Sequence, residues 1–366
     1  MTRKGEDMVK KRAWLLAGMA VLTAMPVLLL AQRPEYPITL VEPGKGPYTF
    51  PEGYQTPWDR IQIMVTVKLS PNLFVLHGTE GLDPAHPDGS GGRALALFGP
   101  DGVLMVDSEN RQVADKTLKA IRSFTSAPIK VMVNTHIHPD HTGANAFFAK
   151  QGALIFSQEN LQSEMLRPPP RANGTPAPAP EITAVPTVVY GYDSAAPGQP
   201  AVTFTMNGET VDFIPMMPSH TAGDTIVRFR DADVIYIEDF YRNFGYPFAD
   251  QANGGSVRGM LEAIDLIQKL AGAETTLVPG HGTLIKKGDL LPYRAMLVDV
   301  LAKVKTMRDQ GKSLADVLAA KLTAPYDKAT LGDTQQSKDR FITEVYDEVR
   351  DFPPVVDGKR TMPKHP

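Results

Sequence analysis

Cysteine is absent from all 366 residues. That excludes a disulfide framework, a thiolate metal site and a catalytic thiol, so any metal must be held by imidazole and carboxylate. An excess of one charge is also lacking: 38 Lys and Arg face 41 Asp and Glu, a formal net charge of −3. Without a basic surplus, no nucleic-acid partner is expected. Histidine is scarce, with eight in the chain, yet three of them fall within the six positions of "HIHPDH", residues 136–141. The remaining composition, 42% hydrophobic and 22% charged, is ordinary for a globular protein.

The N-terminus differs in kind. "MTRKGEDMVKKR" is basic near its end, and residues 13–31 follow without a charge. That order predicts a secretory signal peptide or an uncleaved N-terminal anchor over 1–31, and hence a periplasmic or secreted protein. Membrane contact is expected only through this segment. Residues 32–57, rich in Pro and Gly, read as an extended leader. From there to about 289 the chain alternates strands, hairpins and βα units. Turns are expected at Ser70–Asn72, Gly99–Gly102, Asn207–Gly208 and Asp231–Asp233. Residues 168–200 carry nine prolines and read as a long surface loop. From Leu290 the pattern is helical, a C-terminal extension packed on the core. The order favours one α/β core rather than two unrelated domains.

In "HIHPDH" an extended backbone points His136 and His138 to one side. Pro139 then turns the chain, so that Asp140 and His141 face a second point. One segment can thus feed two metals about 3.5–4 Å apart. Two further histidines, His220 in "PSHTAGD" and His281 in "PGHG", sit in glycine-bearing turns after apolar strands, where α/β proteins display chemistry. Asp239 ends "DVIYIED", and one carboxylate oxygen can bridge two metals.

The ordered set "VLMVDS", "THIHPDH", "PSHTAGD", "IYIEDF" and "PGHG" resembles the metallo-β-lactamase fold superfamily. The resemblance implies a four-layer αβ/βα sandwich with the site at one edge. It implies one metal on His136, His138 and His220, a second on Asp140, His141 and His281, and Asp239 bridging. Asp107 matches the family's aspartate that orients the ligand loop, while Thr221 and Asp224 are expected to shape the His220 turn. One departure is Glu238, which stands where the family usually has Gly; a surface-pointing side chain is expected. The Cys ligand of one group of true β-lactamases is replaced by Asp.

The expected activity is that of a dinuclear zinc-dependent hydrolase acting on a small molecule. A metal-bridging hydroxide, oriented by Asp140, would attack an ester, thioester, lactone or amide-like bond. β-Lactam hydrolysis is the nearest alternative. An iron-dependent redox enzyme of the same fold is the more distant one, with iron or manganese in place of the two zinc ions. His86, in the loop "GLDPAHPDGSGG", and Tyr246, in "YPFADQANGG", are candidates to line the substrate pocket, Tyr246 as an oxyanion donor.

Overall fold

The computed structural model describes residues 58–59, 61–78, 91–168, 175–176, 178–179, 181–243, 245–327 and 335–351. The expected signal or anchor, the leader and His86 lie outside these residues. Among the described residues, no helix is long and apolar enough to cross a membrane.

Two sheets stack face to face. The first has seven strands in sequence order: β1 (Ile63–Ser70), β2 (Leu73–Gly78), β3 (Ala94–Gly99), β4 (Gly102–Val106), β5 (Ile129–Val133), β6 (Leu154–Gln158) and β7 (Val188–Tyr190). Its first four strands pair antiparallel and its last four parallel. The second sheet runs β12 (Thr276–Pro279), β11 (Val234–Glu238), β10 (Thr225–Phe229), β9 (Glu209–Pro215) and β8 (Val202–Met206). The β8–β9 hairpin turns at Asn207 and Gly208, both at positive φ (54° and 77°), as a two-residue type I′ connection requires. β7 was not expected. It lies within the proline-rich stretch, as a three-residue edge strand, too short to leave an alternation pattern.

Alternation along the strands divides the core into three layers. Leu95, Leu97, Leu104 and Val106 meet Phe213, Val227, Phe229 and Tyr236 between the sheets. On the outer face of the first sheet, Ala94, Ala96, Met105 and Met132 pack against Val113, Ile121 and Phe148. These come from the turn before α1 (Ala114–Arg122), from α1 itself, and from α3 (Asn145–Lys150). On the outer face of the second sheet, Ile226, Ile235, Ile237 and Leu277 pack against three helices: α5 (Val257–Leu270), α6 (Leu290–Asp309) and α8 (Gln335–Asp351). Each fully buried Ile, Leu or Phe contributes about 1.5–3 kcal/mol relative to exposure. The result is the four-layer αβ/βα sandwich, with C-terminal helices in its last layer.

Candidate metal centre

Every ligand candidate lies just beyond a strand end. His138, at the end of the segment that follows β5, has an extended backbone (φ −59°, ψ 149°), the conformation favoured before a proline. Pro139 then opens a single helical turn, α2 (Pro139–Thr142), for which its fixed φ and missing N–H suit it. This change of backbone sends Asp140 and His141 to a different side from His136 and His138. Reciprocal amide bonds between Asn134 and Asn145 (3.1 and 2.7 Å) tie the two ends of the segment together.

Seven side chains converge. His136, His138, His220 and Asp239 form one group able to hold a metal, and Asp140, His141 and His281 form another. Asp239 lies between the groups. Its Oδ2 is 3.8 Å from His136 Nε2, 3.7 Å from His220 Nε2 and 3.1 Å from His281 Nε2, while its Oδ1 is 3.6 Å from His141 Nε2. Asp140 Oδ2 is 3.0 Å from His281 Nε2 and 3.7 Å from His141 Nε2. His138 Nδ1 and His220 Nε2 are 2.9 Å apart. His136, His141 and His220 are wholly buried, whereas His138, Asp140 and His281 keep 18, 22 and 12% of their side chains exposed. A substrate must approach from the side of these three.

Four of the five imidazoles have their far nitrogen engaged away from the centre, which fixes tautomer and ring plane. His141 Nδ1 lies 2.8 Å from Asp107 Oδ2, and the same carboxylate accepts from Thr135 N (2.8 Å) and Thr135 Oγ1 (2.7 Å). Because Thr135 Oγ1 donates to Asp107, it accepts from His136 Nδ1 at 3.2 Å, leaving His136 Nε2 as a lone pair. His220 Nδ1 donates to the Phe248 carbonyl at 2.7 Å, and His138 Nε2 meets Asp250 Oδ2 at 2.8 Å. Asp224 shapes the His220 turn: its carboxylate accepts from the amides of Ser219, His220 and Thr221 and from both hydroxyls, Ser219 Oγ and Thr221 Oγ1.

Electrostatics split the histidines. Burial, reinforced by the neighbouring imidazoles, holds His136 well below its ordinary pKa and His220 down to about 3, so both are neutral ligands. Burial opposes charge on His141 too, but the carboxylates of Asp239, Asp140 and Asp107 outweigh it and hold its pKa well above the usual value. Burial likewise resists ionisation of Asp239, yet His281, His141 and His136 keep it well below the carboxylate range.

These residues fit a metal pair. Among the described residues, His136 Nε2, His141 Nε2 and Asp239 Oδ1 are buried without a hydrogen-bond partner. Three such atoms, spread over two adjoining groups, would be costly unless cations complete them. Two glycines make the convergence possible. A Cβ on Gly280 would sit 1.9 Å from Asp239 Oδ1, and one on Gly92 would sit 2.4 Å from His141 Nε2.

Two expectations are corrected. Tyr246 is fully buried, and its one hydroxyl proton is shared between two acceptors, Thr323 O (3.0 Å) and Asp327 Oδ1, away from the centre. It packs against α8 and offers nothing to an oxyanion. Glu238 does not point to the surface. It is completely buried at φ 49°, and its side chain folds back to accept from the amides of Asp239 and Phe240 (3.0 Å). Positive φ explains why glycine suits this place. Here a glutamate takes the strained conformation and caps two amides in return. Burial, with Asp224 and Asp239 nearby, pushes its pKa well up.

Other contributors were not anticipated. Arg93, buried at 2% exposure, donates Nη1 to Pro279 O (3.0 Å) and Nη2 to Gly282 O, while its amide donates to Gly280 O (3.1 Å). It thus clamps both sides of His281. Phe248 stacks on His138 with ring centroids 5.9 Å apart and planes 11° apart. Asp250, in the same "YPFADQANGG" loop as Tyr246, orients His138 directly.

Fold and site together define a metal-binding α/β sandwich with its ligands on strand ends. The chain belongs to the metallo-beta-lactamase superfamily, whose sequence profile matches residues 88–281. Among curated proteins it is 39% identical over 69 residues to a linear primary-alkylsulfatase from Pseudomonas sp., a match covering 17% of this chain and 13% of that protein. Solved structures that share the fold include the following two. One is a metallo-beta-lactamase from Pontibacter korlensis (TM-score 0.50, 19% identity, 65% of this chain and all of that one). The other is a stereoselective inverting sec-alkylsulfatase from Pseudomonas sp. (TM-score 0.56, 16% identity, 78% of this chain). This chain spans half of the latter's length.

Proposed function

We propose that the protein is a dinuclear zinc-dependent hydrolase that cleaves an ester-like bond of a small molecule. The observation that carries this reading is the convergence of five imidazoles and two carboxylates, three of whose buried atoms lack a hydrogen-bond partner. His136, His138 and His220 would hold one ion, Asp140, His141 and His281 the other, with Asp239 shared. A zinc pair, when bound, supplies Lewis acidity for the electrophile and acidifies an attacking water toward a pKa of about 7. Asp140, partly exposed beside His281, orients the nucleophile on the solvent side. Asp107, Asp250 and the Phe248 carbonyl keep the imidazoles presenting the correct nitrogen. Burial of His136, His141 and Asp239 keeps water from competing on the inner side.

The bond cleaved is an ester, thioester, lactone or amide. A sulfate ester is the second reading, favoured by the likeness to two alkylsulfatases in sequence and in fold. We read the chain as exported, on the strength of its basic-then-apolar N-terminus.

Elemental analysis of purified protein, combined with hydrolysis assays on esters, thioesters, lactones, a β-lactam and alkyl sulfates, tests the reading. Two zinc ions per chain and turnover of one class, both lost in His138→Ala, are expected. Full metal content and activity in His138→Ala would defeat the ligand assignment, and iron with no hydrolysis would favour redox chemistry.

A further inference from the structure

The loop that orients His138 and His220 has two sides. On one, as above, the Phe248 carbonyl and the Asp250 carboxylate fix these imidazoles, and the Asp250 amide returns a bond to the His220 carbonyl (2.8 Å). The other side rests on α8. Ser337 Oγ accepts from Tyr246 N (2.9 Å), and Arg340 Nη2 donates to Tyr246 O (3.3 Å). Glu344 Oε2 accepts from Ala249 N (3.1 Å), and the Glu344 carbonyl accepts from Gln251 Nε2 (2.9 Å). The Arg340 guanidinium lies 4.4 Å from the centre of the Phe248 ring. Phe341 stacks on Tyr246 at 5.7 Å and 18°. Glu348 then caps the start of α5, accepting from Ser256 Oγ, Val257 N and Arg258 N.

Residues 337, 340, 341, 344 and 348 recur every three or four positions, so they form one stripe on one face of the helix. Three of the five, Ser337, Glu344 and Glu348, are polar yet at most 9% exposed. A helix that only covered a core would present apolar groups there. This stripe instead answers backbone groups of a loop that would otherwise lose its partners. α8 also lies beyond the stretch matched by the superfamily profile, which ends at residue 281.

We propose that α8 is a positioning element of the metal centre: its Ser337–Arg340–Glu344 stripe holds residues 246–251 in place, and through Phe248 and Asp250 it sets the geometry of His138 and His220. The proposal rests on the reading of the site as metal-binding. It predicts that the group containing His138 and His220 depends on α8, while the Asp140–His141–His281 group, braced by Asp107 and Arg93, does not.

The test uses the full chain, with Glu344→Ala and Ser337→Ala as loosening variants and Glu344→Gln as the conservative one. Val304→Ala is the control, a buried α6 position in the same apolar layer whose side chain has no hydrogen-bonding group to offer the loop. Hydrogen exchange on metal-free protein reads residues 246–251, and competition of zinc against a chromophoric chelator reads the two affinities stepwise. Glu344→Ala and Ser337→Ala are expected to speed exchange in 246–251. Direct outer partners of a ligand carry about 10–100-fold in affinity, and one link further out the lower end applies, so one zinc affinity falls by about 10-fold. Glu344→Gln restores both, and Val304→Ala lowers the unfolding midpoint but leaves zinc binding unchanged. Wild-type zinc affinities in both loosening variants, or a loss in Val304→Ala equal to theirs, overturn the proposal alone. A wild-type chain that binds no zinc, iron or manganese overturns the site reading and this proposal with it.

Discussion

Replacing Glu238 separates two opposing effects at the end of β11. Its left-handed backbone costs a non-glycine residue about 1–2 kcal/mol, which glycine would remove. Glycine's freer unfolded chain gives back about 0.5–1 kcal/mol of that gain. Against this stand the two buried amides, of Asp239 and Phe240, that the glutamate satisfies. Left without an acceptor, each costs about 1–3 kcal/mol. The hydrogen bonds therefore win. Glu238→Ala, which keeps the strain and loses both acceptors, should lose about 2–6 kcal/mol. Glu238→Gly should lose about 1 kcal/mol less than the alanine variant. Glu238→Gln, retaining one acceptor oxygen, should lose about 1–3 kcal/mol. Urea unfolding of metal-free protein, followed by circular dichroism, gives the order through midpoints and slopes. A glycine variant as stable as wild type, or more so, would show that strain dominates and that the amide-capping account is wrong.

Asp107→Asn keeps a residue that tolerates its φ of 60° but removes the anionic acceptor of His141. Zinc competition should show one of the two affinities reduced about 10–100-fold, and an unchanged value would refute the role given to this carboxylate. Metal-free His141 holds a proton at neutral pH, because Asp239, Asp140 and Asp107 outweigh its burial. The loaded state must release that proton, so apparent metal affinity rises with pH. Calorimetry at pH 7 in two buffers of different ionisation enthalpy should therefore detect net proton release, and none would contradict the assignment. Tyr246→Phe should lower stability by about 1–2 kcal/mol, through the lost bonds to Thr323 and Asp327. It should leave kcat and KM unaltered, and a drop in kcat would return Tyr246 to the substrate side.

Much of the site was legible because its residues are local or terminate strands. "HIHPDH" advertises itself through density, and His220, Asp239 and His281 each follow an apolar run that the sheet converts into a strand end. Asp107 also ends an apolar run, but its role was implied by the resemblance and not by its position. What the sequence hid was side-chain direction. Glu238 looks like any polar residue after a strand, and only the positive φ of its backbone turns the carboxylate inward. Tyr246 sits in a loop rich in turn residues, which says nothing of which side its hydroxyl faces; the Thr323 carbonyl and Asp327, 77 and 81 positions away, decide that. Arg93 reads as a routine strand-start charge, yet it spans 186 positions to the Pro279 carbonyl. Contacts of this separation leave no periodicity to find.

The ligand candidates differ in what makes them rigid, and the difference bears on which side of the site can adapt. His136, His141, Asp239 and His281 are set by strand ends, by Asp107 and by the Arg93 fork, all within the sandwich. His138 is set by Asp250 and Phe248, on a loop that answers to a helix outside the superfamily match. His138 is also one of the three ligand candidates with a face open to solvent. Changes along α8 can therefore reshape the approach to the centre without touching the sheets. A fold whose strand ends carry the chemistry can in this way alter the bond it accepts through helices that follow its last ligand.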